Sequence, residues 1–255
     1  MAVTFDLVDK ELRRASAQFN RDNWPALLCP VCKYGALTAK PDNIVRQVGG
    51  NADTATWRDW GDPTDITGIF HGRLECTRPE CGDWVAVSGD YTVDQQPAYH
   101  IDDSYVDLLR LRTAHPPIDI VSVPDGVSDS VKASLIRAAS LVWLDAGLTV
   151  TALRTTIERL MDDFSIATTE PNGRRRSLHN RIQEFQNAHS AAGDVLLAVK
   201  WVGNEGTHAA DFAITTNDAL DMAEFIEVAL WNLYSISTDI AERAQRIIAN
   251  QGLVP

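Results

Sequence analysis

The sequence predicts an α+β chain in two parts. Residues 1–115 read as a leading helix and a small cysteine-bearing ribbon, and residues 116–255 as a mainly α-helical bundle. Three observations carry this. All four cysteines fall in the first third, as two close pairs. Pro116-Pro117, with Pro124-Asp125-Gly126 shortly after, punctuates the middle of the chain as a domain boundary does. Beyond that point the apolar residues recur at three-to-four spacing, the helical period. A length of 255 residues with 45% hydrophobic side chains is enough for one large or two small domains with at least one buried core.

In chain order, residues 5–19 have the pattern of a first helix. The first cysteine pair follows as Cys29-Pro30-Val31-Cys32, with Lys33-Tyr34-Gly35 behind it. The second is Cys76-Thr77-Arg78-Pro79-Glu80-Cys81, with Gly82 behind it. Both spacings lie in the range used by tetrahedral zinc, whose short ligand loops turn on nearby glycines and aim backbone amides at the sulfurs. The alternatives are a disulfide framework or unrelated free thiols. Residues 1–10 do not look like a secretory signal, which argues against disulfides. A redox Cys-x-x-Cys would open a helix in a βαβ setting, and none is visible. The expectation is a structural Zn2+ held by Cys29, Cys32, Cys76 and Cys81, with His71 and His100 as spare donors. Four thiolates complete such a site and leave no open position for catalysis.

Residues 69–75 lead into the second pair as a strand, and residues 84–89 lead out as another. Gly82-Asp83 and Gly89-Asp90 read as turns, and the polar stretch Pro41 to Thr67 as a long insertion.

Past the prolines, Ser128 can cap a helix that buries Val131, Leu135, Ala138, Ala139 and Val142 and ends near Gly147. Val150, Leu153, Ile157, Leu160, Met161 and Phe164 form a second stripe. Pro171-Asn172-Gly173 breaks the chain, and Leu178, Ile182 and Phe185 mark a shorter helix. Residues 195–202 are apolar enough to be buried. Thr216 or Asn217 can cap a long helix from about Asp218 to Tyr234, and residues 240–248 continue as a tail helix. Short connections make neighbouring helices antiparallel.

The net charge is −12. Residues 1–115 carry 12 basic and 17 acidic side chains, and residues 116–255 carry 11 and 18, so neither half is a basic module. Affinity for nucleic acid that ignores sequence comes mostly from Lys and Arg on phosphates. Broad binding of that kind is therefore not expected, although a local patch is compatible with it. Arg174, Arg175 and Arg176, with Arg181 nearby, form the one dense basic cluster. It reads either as a solvated interhelical loop or as a phosphate or partner contact. With no long apolar run, no membrane span is expected, and a cytoplasmic protein is the default.

Residues 200–208 carry candidate chemistry. His208 stands near Asn204, Gly203 and Gly206, read as a loop at a helix boundary where the glycines permit a tight backbone. A histidine there either bonds a backbone carbonyl or serves as a general acid or base. Asn204 either orients a substrate or caps the turn. Arg154 and Glu158 lie four apart on one helix, either as a surface pair or as a polar network reaching toward His208.

From about Pro116 to Tyr234 the chain resembles the bacterial DUF4145 family. Four features carry the likeness: the proline-rich Pro116-Pro117-Ile118-Asp119-Ile120; Leu153-Arg154-x-x-x-Glu158; Leu178-x-x-Arg181-Ile182; and Trp201-Val202-Gly203-Asn204-x-x-x-His208, with Asp218-Ala219 and a helix ending Leu233-Tyr234. A cysteine-paired ribbon in front is similar to many members. The resemblance implies an HEPN-like helical bundle, a superfamily with many metal-independent ribonucleases in toxins and antiphage systems. Those enzymes dimerise and share a cleft bearing an arginine followed four to six residues later by a histidine. Their motif begins Arg-Asn, where this chain has Gly203-Asn204. The missing phosphate-stabilising cation would have to come from Lys200 or Arg154.

The resemblance implies a bacterial defence-associated interaction or nucleic-acid-sensing module, a homodimer or larger assembly working with protein partners. The rival is a ribonuclease using His208 with Asn204, Arg154 and Glu158. A third reading is an inactive scaffold.

Overall fold

The computed structural model describes residues 5–50, 62–95, 105–208 and 214–234, with side chains described outside 5–9 and 200–208. Close contacts divide the chain into two units. One comprises Met1–Ile120, Ile136–Thr149 and Ile214–Leu220, and the other Val121–Leu135, Val150–Ala213 and Asp221–Pro255.

The first unit is built on an antiparallel sheet of five strands: β1 (Phe19–Asn20), β2 (Leu37–Val48), β3 (Thr67–Cys76), β4 (Trp84–Gln95) and β5 (Tyr105–His115), in the order β1-β5-β4-β3-β2. Alternation explains its buried face. Phe70 and Leu74 of β3 and Leu109 of β5 are fully buried, while Ile69 and His71 point the other way and are exposed. The Trp24 ring packs edge-on against Phe19 and Phe70, with centroids 4.9 and 5.8 Å away. Helix α1 (Phe5–Ser16) buries Leu12 and Ala15. Its Glu11, also buried, accepts the Ala26 amide at 2.7 Å and pairs with Arg14.

The sheet is larger than the ribbon the sequence suggested. Residues 41–48 are not part of an insertion but belong to β2. Ala39 pairs with Leu74 and Ile44 with Gly72, so five steps along β2 match two along β3. Pro41 sits inside that bulge, where no ladder N–H is needed. Gly89 is not a turn either. It lies in the interior of β4 at a register shift, where a Cβ would collide with the Arg110 carbonyl of β5.

The helices are α2 (Asp129–Leu141), α3 (Ala146–Asp163), α4 (Leu178–Gln186), α5 (Ser190–His208) and α6 (Thr216–Tyr234). The apolar stripes predicted for α3 and α4 are there. Leu153, Ile157, Leu160 and Met161 of α3 are at most 1% exposed, as are Ile182 and Phe185 of α4. Ser128 caps α2 as expected, accepting the Val131 amide at 3.4 Å, but α2 stops at Leu141, short of Gly147. Asp145 then caps α3 through the Leu148 amide, and Ser177 caps α4 through the Asn180 amide. The cap of α6 is Thr215 rather than Thr216 or Asn217. Thr215 accepts the Asp218 amide while Asp218 accepts the Thr215 amide, a reciprocal capping box. The expected tail helix over residues 240–248 lies outside the described residues. No helix among the described residues is long and apolar enough to cross a membrane.

Candidate functional site

The topology brings both cysteine pairs together. Cys29 and Cys32 precede β2, Cys76 closes β3, and Cys81 stands just before β4. The loops are laced to one another. The Cys29 amide donates to the Gly35 carbonyl at 2.8 Å, Thr77 to Ala36 at 2.8 Å, and Cys76 to Asp83 at 2.9 Å. Two residues with positive φ, Lys33 at 61° and Gly82 at 64°, make the turns behind each pair.

All four sulfurs lie within 4.8 Å of one another. Cys29 Sγ is 3.9 Å from Cys81 Sγ, and Cys32 Sγ is 3.7 Å from Cys76 Sγ. A zinc ion with bonds of about 2.3 Å spaces tetrahedral sulfurs by about 3.8 Å. The cluster can therefore hold a metal ion and is compatible with zinc. Amides face the sulfurs as thiolate ligation requires: Gly35 donates to Cys32 at 3.3 Å and Arg78 to Cys76 at 3.5 Å. The Gly35 amide, helped by that of Tyr34, lowers the Cys32 pKa to about 6. Burial pushes the Cys76 thiol up. His71 points away from the buried face of β3 and is not part of the cluster, while His100 lies outside the described residues.

Gly35 is constrained by this packing, because a Cβ there would overlap Cys76 Sγ. Gly35→Ala is expected to lower metal content per chain and to cost about 1–3 kcal/mol, the scale of an overpacked interior. Metal analysis alongside thermal melting checks this, and unchanged loading would show that the loop has room to relax.

The arginine cluster resolves into a second site. Pro171-Asn172-Gly173 forms the tip of a short hairpin in which Thr169 bridges Arg175 and Gly173 has φ of 81°. Arg174 is exposed on it. Arg175 and Arg176 line a pocket of about 250 Å³ together with Arg181 from α4 and Glu158, Arg159 and Asp162 from α3. Arg181 is only 5% exposed. It donates to the Asp162 carboxylate at 2.6 Å, the Ile166 carbonyl at 2.9 Å and the Glu158 carbonyl at 3.5 Å. Arg176 pairs with Glu170 and Glu184, and the Glu184 hydrogen bond raises its pKa first among several causes.

Residues 137–250 match the DUF4145 family model. That family is described as a domain of unknown function. Residues 17–110 match a second domain of unknown function, DUF8608, a segment that holds both cysteine pairs. No curated protein and no solved structure matches the chain.

Within the DUF4145 segment the structure joins two features that the sequence kept apart. Glu158 and Arg181 meet at one pocket, while Arg154, one turn earlier on α3, does not line it. Arg159 and Asp162 escaped the sequence reading, although their spacing of three on one helix face marked them as a pair. Residues 200–208 are not a loop. The helix α5 runs through Gly203 and Gly206 to end at His208. The side chains of Lys200, Asn204 and His208 lie outside the described residues.

Proposed function

We propose that this chain is a zinc-stabilised recognition module of a bacterial defence assembly, which binds nucleic acid through local contacts and does no chemistry at its metal. The closed four-sulfur cluster carries the reading. Four thiolates fill a tetrahedral ion and leave no site for water or substrate, so the metal braces the fold. The cysteine-bearing part is a zinc-ribbon-like device enlarged into a sheet. The DUF4145 segment is the HEPN-like part, and it works as a dimer or a larger assembly. Gly203, standing where related nucleases have arginine, favours binding over cleavage.

The zinc-loaded full chain, titrated into labelled single-stranded RNA, is expected to raise anisotropy in a salt-sensitive way and to leave the RNA uncut. Sedimentation at micromolar concentration is expected to show self-association. Cleavage that His208→Ala abolishes in a folded protein would replace this reading with the ribonuclease one. An absence of both binding and self-association would leave an inert scaffold.

A further inference from the structure

We infer that the pocket between α3, α4 and the Thr169–Arg175 hairpin is a binding site for a phosphate group. This rests on the recognition-module reading and names the chemistry that the module recognises. Four guanidinium groups (Arg159, Arg175, Arg176 and Arg181) line the pocket against two carboxylates (Glu158 and Asp162), in a chain whose net charge is −12. Glu170 and Glu184 offset Arg176 from outside the lining, so the uncompensated charge at the pocket is that of Arg175, and the guanidinium-lined wall disfavours a metal cation. Leu178 is the one apolar side chain in the lining, which excludes an apolar ligand.

The guanidinium groups are held in place before any ligand arrives. Arg181, 5% exposed, is fixed by three acceptors, and its buried Nε has no hydrogen-bond partner. Arg176 is fixed by Glu170 and Glu184. Side chains already ordered in this way lose little freedom on binding. Arg175 is the free donor: it is exposed and makes no ion pair among the described residues. Leu178 is the first residue of α4, so that helix starts at the pocket with its partial positive charge, and Thr168 also lines it. Guanidinium forks match the oxygens of phosphate. A volume of about 250 Å³ falls below the roughly 300–1,000 Å³ of drug-sized ligand pockets and suits one phosphate with little attached.

The test uses the full zinc-loaded chain. Calorimetric titration at matched ionic strength is run with inorganic phosphate, with a nucleoside monophosphate and with a 5′-phosphorylated oligoribonucleotide. Arg175→Gln and Arg159→Gln change side chains that are more than a third exposed, and Arg137→Gln is the control on exposed α2 surface. Saturable phosphate binding is expected, weakened about ten-fold or more by Arg175→Gln, the scale of one charge-assisted hydrogen bond, and unchanged by Arg137→Gln. Absence of saturable binding, or binding indifferent to both pocket variants, overturns the site. If RNA still binds the wild type and the variants equally, the site falls and the recognition reading stands. If small phosphates bind through Arg175 while the oligoribonucleotide binds no better than free phosphate, the site stands and the nucleic-acid reading falls.

Discussion

Cys32→Ser is expected to abolish stoichiometric zinc binding and to unfold the sheet unit at temperatures where the wild type keeps it. Structural zinc contributes roughly 10–16 kcal/mol of apparent binding energy in finger peptides, and in such domains that energy is folding energy. Losing one of four ligands forfeits much of it, so a drop of several kcal/mol is anticipated. Metal analysis and calorimetric melting on the same samples measure both effects. Acid should act in the same direction, because protons compete with the metal for sulfur. In the metal-free protein the folded-state pKa of Cys32 is depressed to about 6 from 9.0, chiefly by the Gly35 amide. Its thiolate therefore contributes fully above pH 9 and is lost as pH falls through about 6. A wild-type protein that is stable and metal-free at neutral pH would end the structural-zinc proposal.

Arg181→Ala should be strongly destabilising in the helical unit for a polar side chain, at about 2–4 kcal/mol. The variant removes the guanidinium that the Ile166 and Glu158 carbonyls and the Asp162 carboxylate share, leaving Asp162 only its longer pairing with Arg159 at 3.5 Å. An acceptor stranded away from water costs about 1–3 kcal/mol. Asp162 is 38% exposed, so water recovers part of its loss and holds the total below that of a fully buried pair. Arg181→Lys should rescue little, because an ammonium cannot reach three acceptors in a fork. Urea denaturation of both variants would decide the matter. A loss under about 1 kcal/mol for Arg181→Ala would show that the network is incidental. Arg175→Gln, on an exposed side chain, should stay within about 0.5 kcal/mol of wild type.

The helices were legible because burial there is one-sided and periodic. Leu153, Ile157, Leu160 and Met161 announce α3, and Ser128 marks the start of α2 that a hydroxyl cap requires. The cysteine cluster was legible because ligand spacing is a local property. Most of the sheet was not. β2 is an edge strand whose bulge absorbs Pro41 and whose last four residues are all exposed, so it lacks the alternation that identifies a half-buried strand. β5 has few inward residues, with Leu109 and Leu111 the buried ones, and its pairing with β4 is a long-range fact. Gly203 and Gly206 suggested a loop because glycine disfavours helices, yet α5 runs through both, an instance of tertiary context overriding propensity. The arginine pocket depends on a hairpin folding back toward α3, which no spacing along the chain records.

The position of the cysteines has a consequence for solubility. β2 is an outer strand of the sheet that pairs with β3, and its first residue, Leu37, lies opposite Cys76 of the cluster. The cluster thus clamps the sheet at the end from which its border strand would peel. Once the clamp opens, β3 offers a bare row of amides and carbonyls beside Phe70 and Leu74, the kind of border along which neighbouring molecules add strands. Chelated protein should turn cloudy while its helical signal is still largely intact, so the ion's most visible service to the cell would be keeping separate chains apart.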